Sequence, residues 1–432
     1  MARVRPFAAF RYARPDRDIS SVTAPPYDVI SAEQREQLLA QDAHNVVALE
    51  LPDGPLDASV PGNRYETGAA TWNTWREQGV IVQDLRPSIY VLEQHTPQED
   101  MMVRRRAFIV EVGLEPFSAG VVLPHERTLP KALGDRLELT RATHANLSQV
   151  LSLFDDPAGE TDALFDAIAV GNPLAFAVDA EGVESRLWAS PDPVIADTLS
   201  TIFADKPIFI ADGHHRYTTA LAFRDERRAA DAANGLAPID PAYDYVMMAL
   251  VNMDDPELVV MPTHRVADVA GAFDAHAFWA AVARNFDVSE LPEGHAADAL
   301  DGSGRPAYVV ATRNDAKPKL VVLRQDVDVE TAIPLERSSA WKHLDVAVLQ
   351  ELILDPILGI HPDRPETLDR LTFVKGAHSA LKQASQHDVV FVMRATRMEQ
   401  LRAVALAGET MPQKSTYFYP KLLSGLLFRS AE

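Results

Sequence analysis

The run Pro207–Leu221 (PIFIADGHHRYTTAL) constrains the fold more than any other part of the chain. Ile208-Phe209-Ile210-Ala211 is a bulky apolar run that reads as a buried strand, and Asp212-Gly213 marks the turn that ends it. After the turn, Tyr217, Ala220, Leu221 and Arg224 recur at three- and four-residue spacing, which is one face of a helix. His214, His215 and Arg216 therefore occupy the first helical turn. Free backbone N–H groups and the positive end of the helix dipole favour a bound anion there. Arg216 adds a planar fork suited to phosphate, and each histidine has a ring N–H to donate. The competing reading is an Asp212 N-cap followed by surface polar residues. Three consecutive cation-capable side chains after Asp-Gly favour a phosphate or nucleotide site.

The rest of the composition limits what such a site serves. At 432 residues the chain has room for two or three domains, with the ordinary apolar and charged content of a globular protein. A formal charge of −21 argues against a nucleic-acid surface, which needs a basic face, but leaves room for a local basic pocket. The absence of cysteine excludes disulfides, thiolate metal sites and a cysteine nucleophile. No apolar stretch reaches the roughly 18 to 20 residues that span a bilayer. The arginines of Met1–Phe7 are not followed by an apolar segment of the signal-peptide kind, so a cytoplasmic, non-membrane protein is expected.

Helix and strand signals interleave throughout. Ser31, with Glu33 and Gln34 behind it, reads as an N-cap, and 68–78 as a helix with Trp72 and Trp75 on one face. Segments 87–94 and 106–112 read as paired strands, as do 307–312 and 319–323. Helices are expected over 161–170, 194–203, 214–234, 341–354 and 399–406, and strands over 174–178 and 388–393. The core Val246–Val251 fits a buried strand or a buried helix equally. The expected class is mixed α+β, a mixed sheet with helices plus further C-terminal α+β elements. An N-terminal region 1–260 would carry the phosphate turn, and a C-terminal region 261–432 would contribute to the same cleft.

Two further clusters join histidine to arginine. Val121–Leu123 ends in Pro124-His125-Glu126-Arg127-Thr128, with Lys131, Asp135 and Arg136 following, and Met261-Pro262 precedes Thr263-His264-Arg265. A carboxylate beside histidine and arginine equips a site for proton transfer next to bound phosphate. Glu126, His125 and His215 are the candidate catalytic residues, Glu126 accepting the proton of a substrate hydroxyl while His125 or Arg127 holds the transferred group. A solvated loop tip with a local salt bridge is the alternative for His125 and Glu126. Gly408–Thr416 approaches the phosphate-cradling pattern G-x-x-x-x-G-K-[ST], but Gln413 replaces its second glycine and Pro412 removes an N–H. Lys414, Ser415, Thr416 and Lys421 still offer donors to an anion, with a solvated loop as the equal alternative. Adjacent histidines point to different sides of a helix, which disfavours a transition metal on Asp212, His214 and His215. Magnesium on Asp212 together with substrate phosphates suits a nucleotide site better.

Five segments, Ala24–Ile30, Pro124–Thr128, Ala211–Tyr217, Pro262–Arg265 and Met411–Lys421, together resemble the signatures of domain of unknown function family 1015. That name carries no activity. Asp212-Gly213-His214-His215-Arg216 is also similar to the phosphate-gripping turn of the ParB and sulfiredoxin superfamily, which implies a ParB/sulfiredoxin-like sheet. The superfamily includes nucleotide-dependent kinases of free serine and chromosome-partition proteins that bind and hydrolyse CTP. The resemblance implies that Asp212, Gly213, His214, His215 and Arg216 contact nucleotide phosphates, with ATP, ADP or CTP as the nucleotide. Arg127, Thr128, His264, Arg265, Lys414, Ser415, Thr416 and Lys421 complete the candidate phosphate set. The sulfiredoxin activity is excluded, since its nucleophile is a thiolate. The expected function is transfer of a phosphoryl group from a nucleotide to a small hydroxylated metabolite, such as a free amino acid like serine. The alternative is a nucleotide-binding or nucleotide-hydrolysing switch that does not clamp DNA.

Overall fold

The computed structural model describes residues 2–98, 101–126, 130–291, 296–313, 315–362 and 364–432. The chain is of the mixed α+β class and divides into two compact units. One comprises Met1–Pro124, Thr128–Leu258 and Pro420–Glu432, the other His125–Arg127 and Val259–Tyr419. Both are discontinuous: the last thirteen residues return to the first unit, and His125 and Glu126 belong to the second.

The first unit is built on a nine-stranded mixed sheet. Its long hairpin, Ile89–Gln98 with Met101–Gly113, is antiparallel, in keeping with the short segment that joins the two strands. Tyr245–Asn252 lies beside Met101–Gly113 and runs parallel to Val150–Phe154 on its other side. That position resolves the ambiguity of Val246–Val251: the run is a strand with neighbours on both edges, and is apolar throughout because both its faces are covered. Ile208–Asp212 sits between Val150–Phe154, antiparallel, and the short strand Val122–Leu123, parallel. Val110, Val150, Phe154, Phe203, Ile208, Ile210, Tyr217 and Met248 form one continuous core. Each large side chain fully buried there contributes about 1.5–3 kcal/mol.

Local signals set the helix ends. Ser31 and Gln34 form a reciprocal capping box at Ala32–Gln41, and Asn63 caps Arg64–Glu77, whose Trp72 and Trp75 are both buried. Asp192 caps Pro193–Phe203, with proline at the first helical position.

The second unit contains a six-stranded sheet in the order 286–290, 319–323, 307–312, 389–392, 263–267, 371–375, antiparallel at every pairing. The expected single helix over 341–354 is instead three pieces: Ser339–Lys342, Asp345–Leu349 and a π turn at Gln350–Leu354. Leu344 takes an extended conformation (φ −68°, ψ 132°) between the first two. Tertiary bonds hold that break, with Tyr308 Oη donating to the Asp345 carbonyl at 2.7 Å and Trp341 Nε1 to that of Thr410 at 3.0 Å. Among the described residues, no helix is long and apolar enough to cross a membrane.

Candidate functional site

In the first unit, the strand Ile208–Asp212 passes through Gly213 into the 20-residue helix His214–Ala233. The register slips between Ile210 and Asp212, a bulge that re-aims the strand end. Gly213, not Asp212, is the N-cap; its φ of +91° lies in the left-handed region, and no side chain caps the helix. The Asp212 carboxylate is engaged elsewhere, 3.2 Å from Lys421 Nζ and 3.7 Å from Arg216 Nη2. Burial pushes its pKa up, but Lys421 and Arg216 outweigh that and hold it at about 2. The N-cap reading of Asp212 is thereby corrected.

Arg216 folds back across the turn. Its Nη1 donates to the Gln149 carbonyl and, at 3.3 Å, to Ser148 Oγ. The guanidinium is thus held in one orientation beside the first-turn amides, at 16% side-chain exposure. His214 is buried and His215 half-buried on the same turn. Beside Arg216 lies a cavity of about 50 Å³ lined by Tyr27, Glu50, Arg136, Ser148 and Thr219, among others. That volume admits a few waters or a small polar group, a single water needing about 10–15 Å³. Burial pushes the Tyr27 hydroxyl up to about 12 against the opposing pull of Arg216 and Arg136, so it stays protonated near neutral pH. Arg136 stacks over the Tyr27 ring at 4.2 Å and pairs with buried Glu50 at 3.3 Å. Arg105, buried on the long hairpin of the same sheet and bonded to Gln94, is lowered to about 10 by burial, which the charge of Asp212 partly offsets. Tyr27 stands in one of the five segments named above, but nothing local in the sequence marks Arg105 or Glu50 as neighbours of this turn.

In the second unit a separate set of candidate residues converges. His125 Nε2 lies 2.8 Å from Thr416 Oγ1, the His125 carbonyl accepts from the Met411 N–H at 2.8 Å, and Glu126 Oε1 accepts from the Lys414 N–H at 3.2 Å. Two separated segments therefore close one loop. Arg265 completes it: its Nη2 donates to the Lys414 carbonyl at 3.1 Å and the Gln413 carbonyl at 3.4 Å. Burial lowers Arg265 to about 10, and its donors hold loop carbonyls. Ser415 is buried and donates to the Pro412 carbonyl, which also removes its hydroxyl from the expected anion set. Lys414 is exposed, at a positive φ of 54°. His264 is buried, and burial followed by the charge of Arg265 lowers it to about 4, so it carries no charge near neutral pH. As a cation for phosphate it does not serve. Arg127 and Thr128 lie outside the described residues.

Among the described residues, no cluster of three or more histidine and acidic groups is arranged to hold a metal. Asp212 is already paired with two cations, an environment that does not suit a magnesium ligand. That expectation is not supported by the donor set.

A model of the family described as "Protein of unknown function (DUF1015)" matches residues 4–347. No curated protein matches the chain. Similar solved structures include a free serine kinase variant in complex with ADP, at 12% identity and a TM-score of 0.35, covering 74% of this chain and 91% of that one. A conserved hypothetical protein from Pyrococcus furiosus is similar at 12% identity and a TM-score of 0.34, covering 72% and 93%. C-terminally truncated SbnI from Staphylococcus aureus is similar at 11% identity and a TM-score of 0.35, covering 73% and 85%.

Proposed function

Since the chain belongs to the DUF1015 family, whose description assigns no activity, we propose its function from the site: a nucleotide-dependent phosphotransferase acting on a small hydroxylated metabolite. The observation that carries the reading is the turn Asp212–Arg216. A long helix starts there, and the positive end of its dipole meets the turn, which favours an anion at that place. Arg216 is fixed beside the helix start by Gln149, Ser148 and Asp212, and Lys421 adds a second cation through Asp212. Phosphoryl transfer asks a protein mainly for positioning and charge neutralisation. Pre-fixed cations perform both without reorganising during the reaction. The likeness of this turn to the ParB and sulfiredoxin phosphate turn supports the same reading.

In this proposal Asp212 orients Arg216 and Lys421 and is not itself a ligand of the phosphates. His214 and His215 stand on the first turn of the same helix. Glu126 is the proposed base toward the acceptor hydroxyl, with His125 positioning it through the 411–416 loop. Magnesium, where the nucleotide brings it, would sit on the phosphates. The reaction is tested by following nucleotide turnover with and without a pool of small hydroxylated metabolites. Acceptor-dependent turnover supports transfer; acceptor-independent turnover favours a hydrolysing switch; no binding of any nucleotide overturns both.

A further inference from the structure

The second unit encloses a cavity that the proposed phosphate chemistry does not use. Its volume is about 1040 Å³, at the upper end of the roughly 300–1000 Å³ usual for ligand pockets. Met261, Pro262, Ala340, Ala377, Val392 and Met393 supply much of its apolar wall. Charged residues line it too, but the pair at its floor is self-contained. Arg394 donates to both Asp345 oxygens at 2.9 and 3.0 Å, to the Arg305 carbonyl at 2.8 Å and to the Leu300 carbonyl at 3.1 Å. That guanidinium has its donors committed to the protein and offers an anion little. Of the other charged lining residues, Asp301 and Glu399 are matched in number by Arg305 and Arg397. The wall thus has no strong preference for a charged ligand.

One buried polar group faces this cavity with a donor to give. His264 is 1% exposed, and among the described residues its ring makes one hydrogen bond: Nδ1 accepts from the Met393 N–H at 3.1 Å. With Nδ1 an acceptor, the neutral ring carries its proton on Nε2, which fixes the tautomer. His264 lines the cavity with Nδ1 already used as an acceptor, so Nε2–H is the ring donor left for a bound acceptor oxygen. We infer that the cavity of the second unit is a small-molecule site for an uncharged, mainly apolar or aromatic compound whose carbonyl-type oxygen accepts from His264 Nε2–H. A carboxylate is a poorer fit, because the ring is neutral and the arginine at the floor is already neutralised by Asp345.

The test uses the full chain and three matched probes: benzamide, benzoate and toluene, observed by saturation-transfer difference NMR at pH 7.5. Benzamide is expected to bind, with benzoate and toluene each at least tenfold weaker. Ala403 lines the cavity from an exposed helix position, so Ala403→Trp fills the space without burdening the core. That variant should abolish benzamide transfer, and His264→Phe should reduce it to the level of toluene. Circular dichroism and melting curves of Ala403→Trp should match the wild type. No transfer to benzamide in the wild type, equal transfer to all three probes, or transfer that survives Ala403→Trp would each overturn the inference.

Discussion

The guanidinium of Arg216 occupies the space where a side chain on Gly213 would begin: a Cβ placed there would stand 2.8 Å from Nε and 2.9 Å from Nη2. Glycine at 213 is therefore required twice over, by the positive φ and by the arginine that crosses the turn. Gly213→Ala is expected to cost about 1–2 kcal/mol for the left-handed conformation alone, and to push Arg216 off Gln149 and Ser148. Gly120→Ala is the control, since its φ is +67° and nothing lies within 4 Å of the added carbon. Chemical denaturation and nucleotide titration of both variants check this. Loss of affinity should follow Gly213→Ala only.

Asp212 gives a pH signature. Its carboxyl is held at about 2, below the ordinary 3.8, so its ion pairs stabilise the fold above pH 4. That contribution, about 2 kcal/mol, is fully present above the unfolded pKa and is lost as pH falls from about 4 through about 2. Denaturation of wild type and Asp212→Asn between pH 2 and 7 checks the window. The stability difference between the two should be flat above pH 5 and shrink toward pH 2.

His264 behaves in the opposite chemical sense but the same direction in pH. Its folded pKa is lowered from 6.5 to about 4, so the unfolded chain binds the proton first. Stability is unaffected above about pH 7 and falls as pH drops from 6.5 toward 4, by about 3 kcal/mol in total. Imidazole NMR should show no titration of His264 between pH 8 and 5, with a persistent Nε2–H tautomer. A midpoint near 6.5 in the folded protein would contradict the account.

Glu126→Gln separates chemistry from structure. The amide oxygen can still accept from the Lys414 N–H, so the 411–416 loop should keep its place. It cannot take a proton, and a general base is worth about 10²- to 10⁴-fold in rate. Acceptor-dependent turnover should fall by that factor with nucleotide affinity unchanged. His125→Ala, by contrast, removes the ring that meets Thr416 and should destabilise by about 1–3 kcal/mol.

Where the sequence was informative, short-range physics explains why. The strand into His214–Ala233, the capping box at Ser31 and Gln34, and the pairing of 307–312 with 319–323 are each decided within a dozen or so residues. The break at Leu344 was not legible, because no glycine or proline marks it and the bonds that hold it come from Tyr308 and Thr410. The grouping of site residues was legible only as residue type. Arg265 and Ser415 look like anion ligands in sequence, yet their donors close a loop. Lys421 meets Asp212 from far along the chain, a pairing no local pattern contains.

The central claim is that Arg216 and Lys421, oriented by Asp212, hold nucleotide phosphates at this turn, and isothermal calorimetry with ADP and AMP on wild type, Arg216→Ala and Lys421→Ala tests it most directly. Each variant should remain folded by circular dichroism and bind more weakly by about 1.5–3 kcal/mol, roughly 10- to 150-fold, the worth of a hydrogen bond to a charged group. Wild-type affinity retained in both folded variants, or no heat of binding from the wild type with either nucleotide, would contradict it.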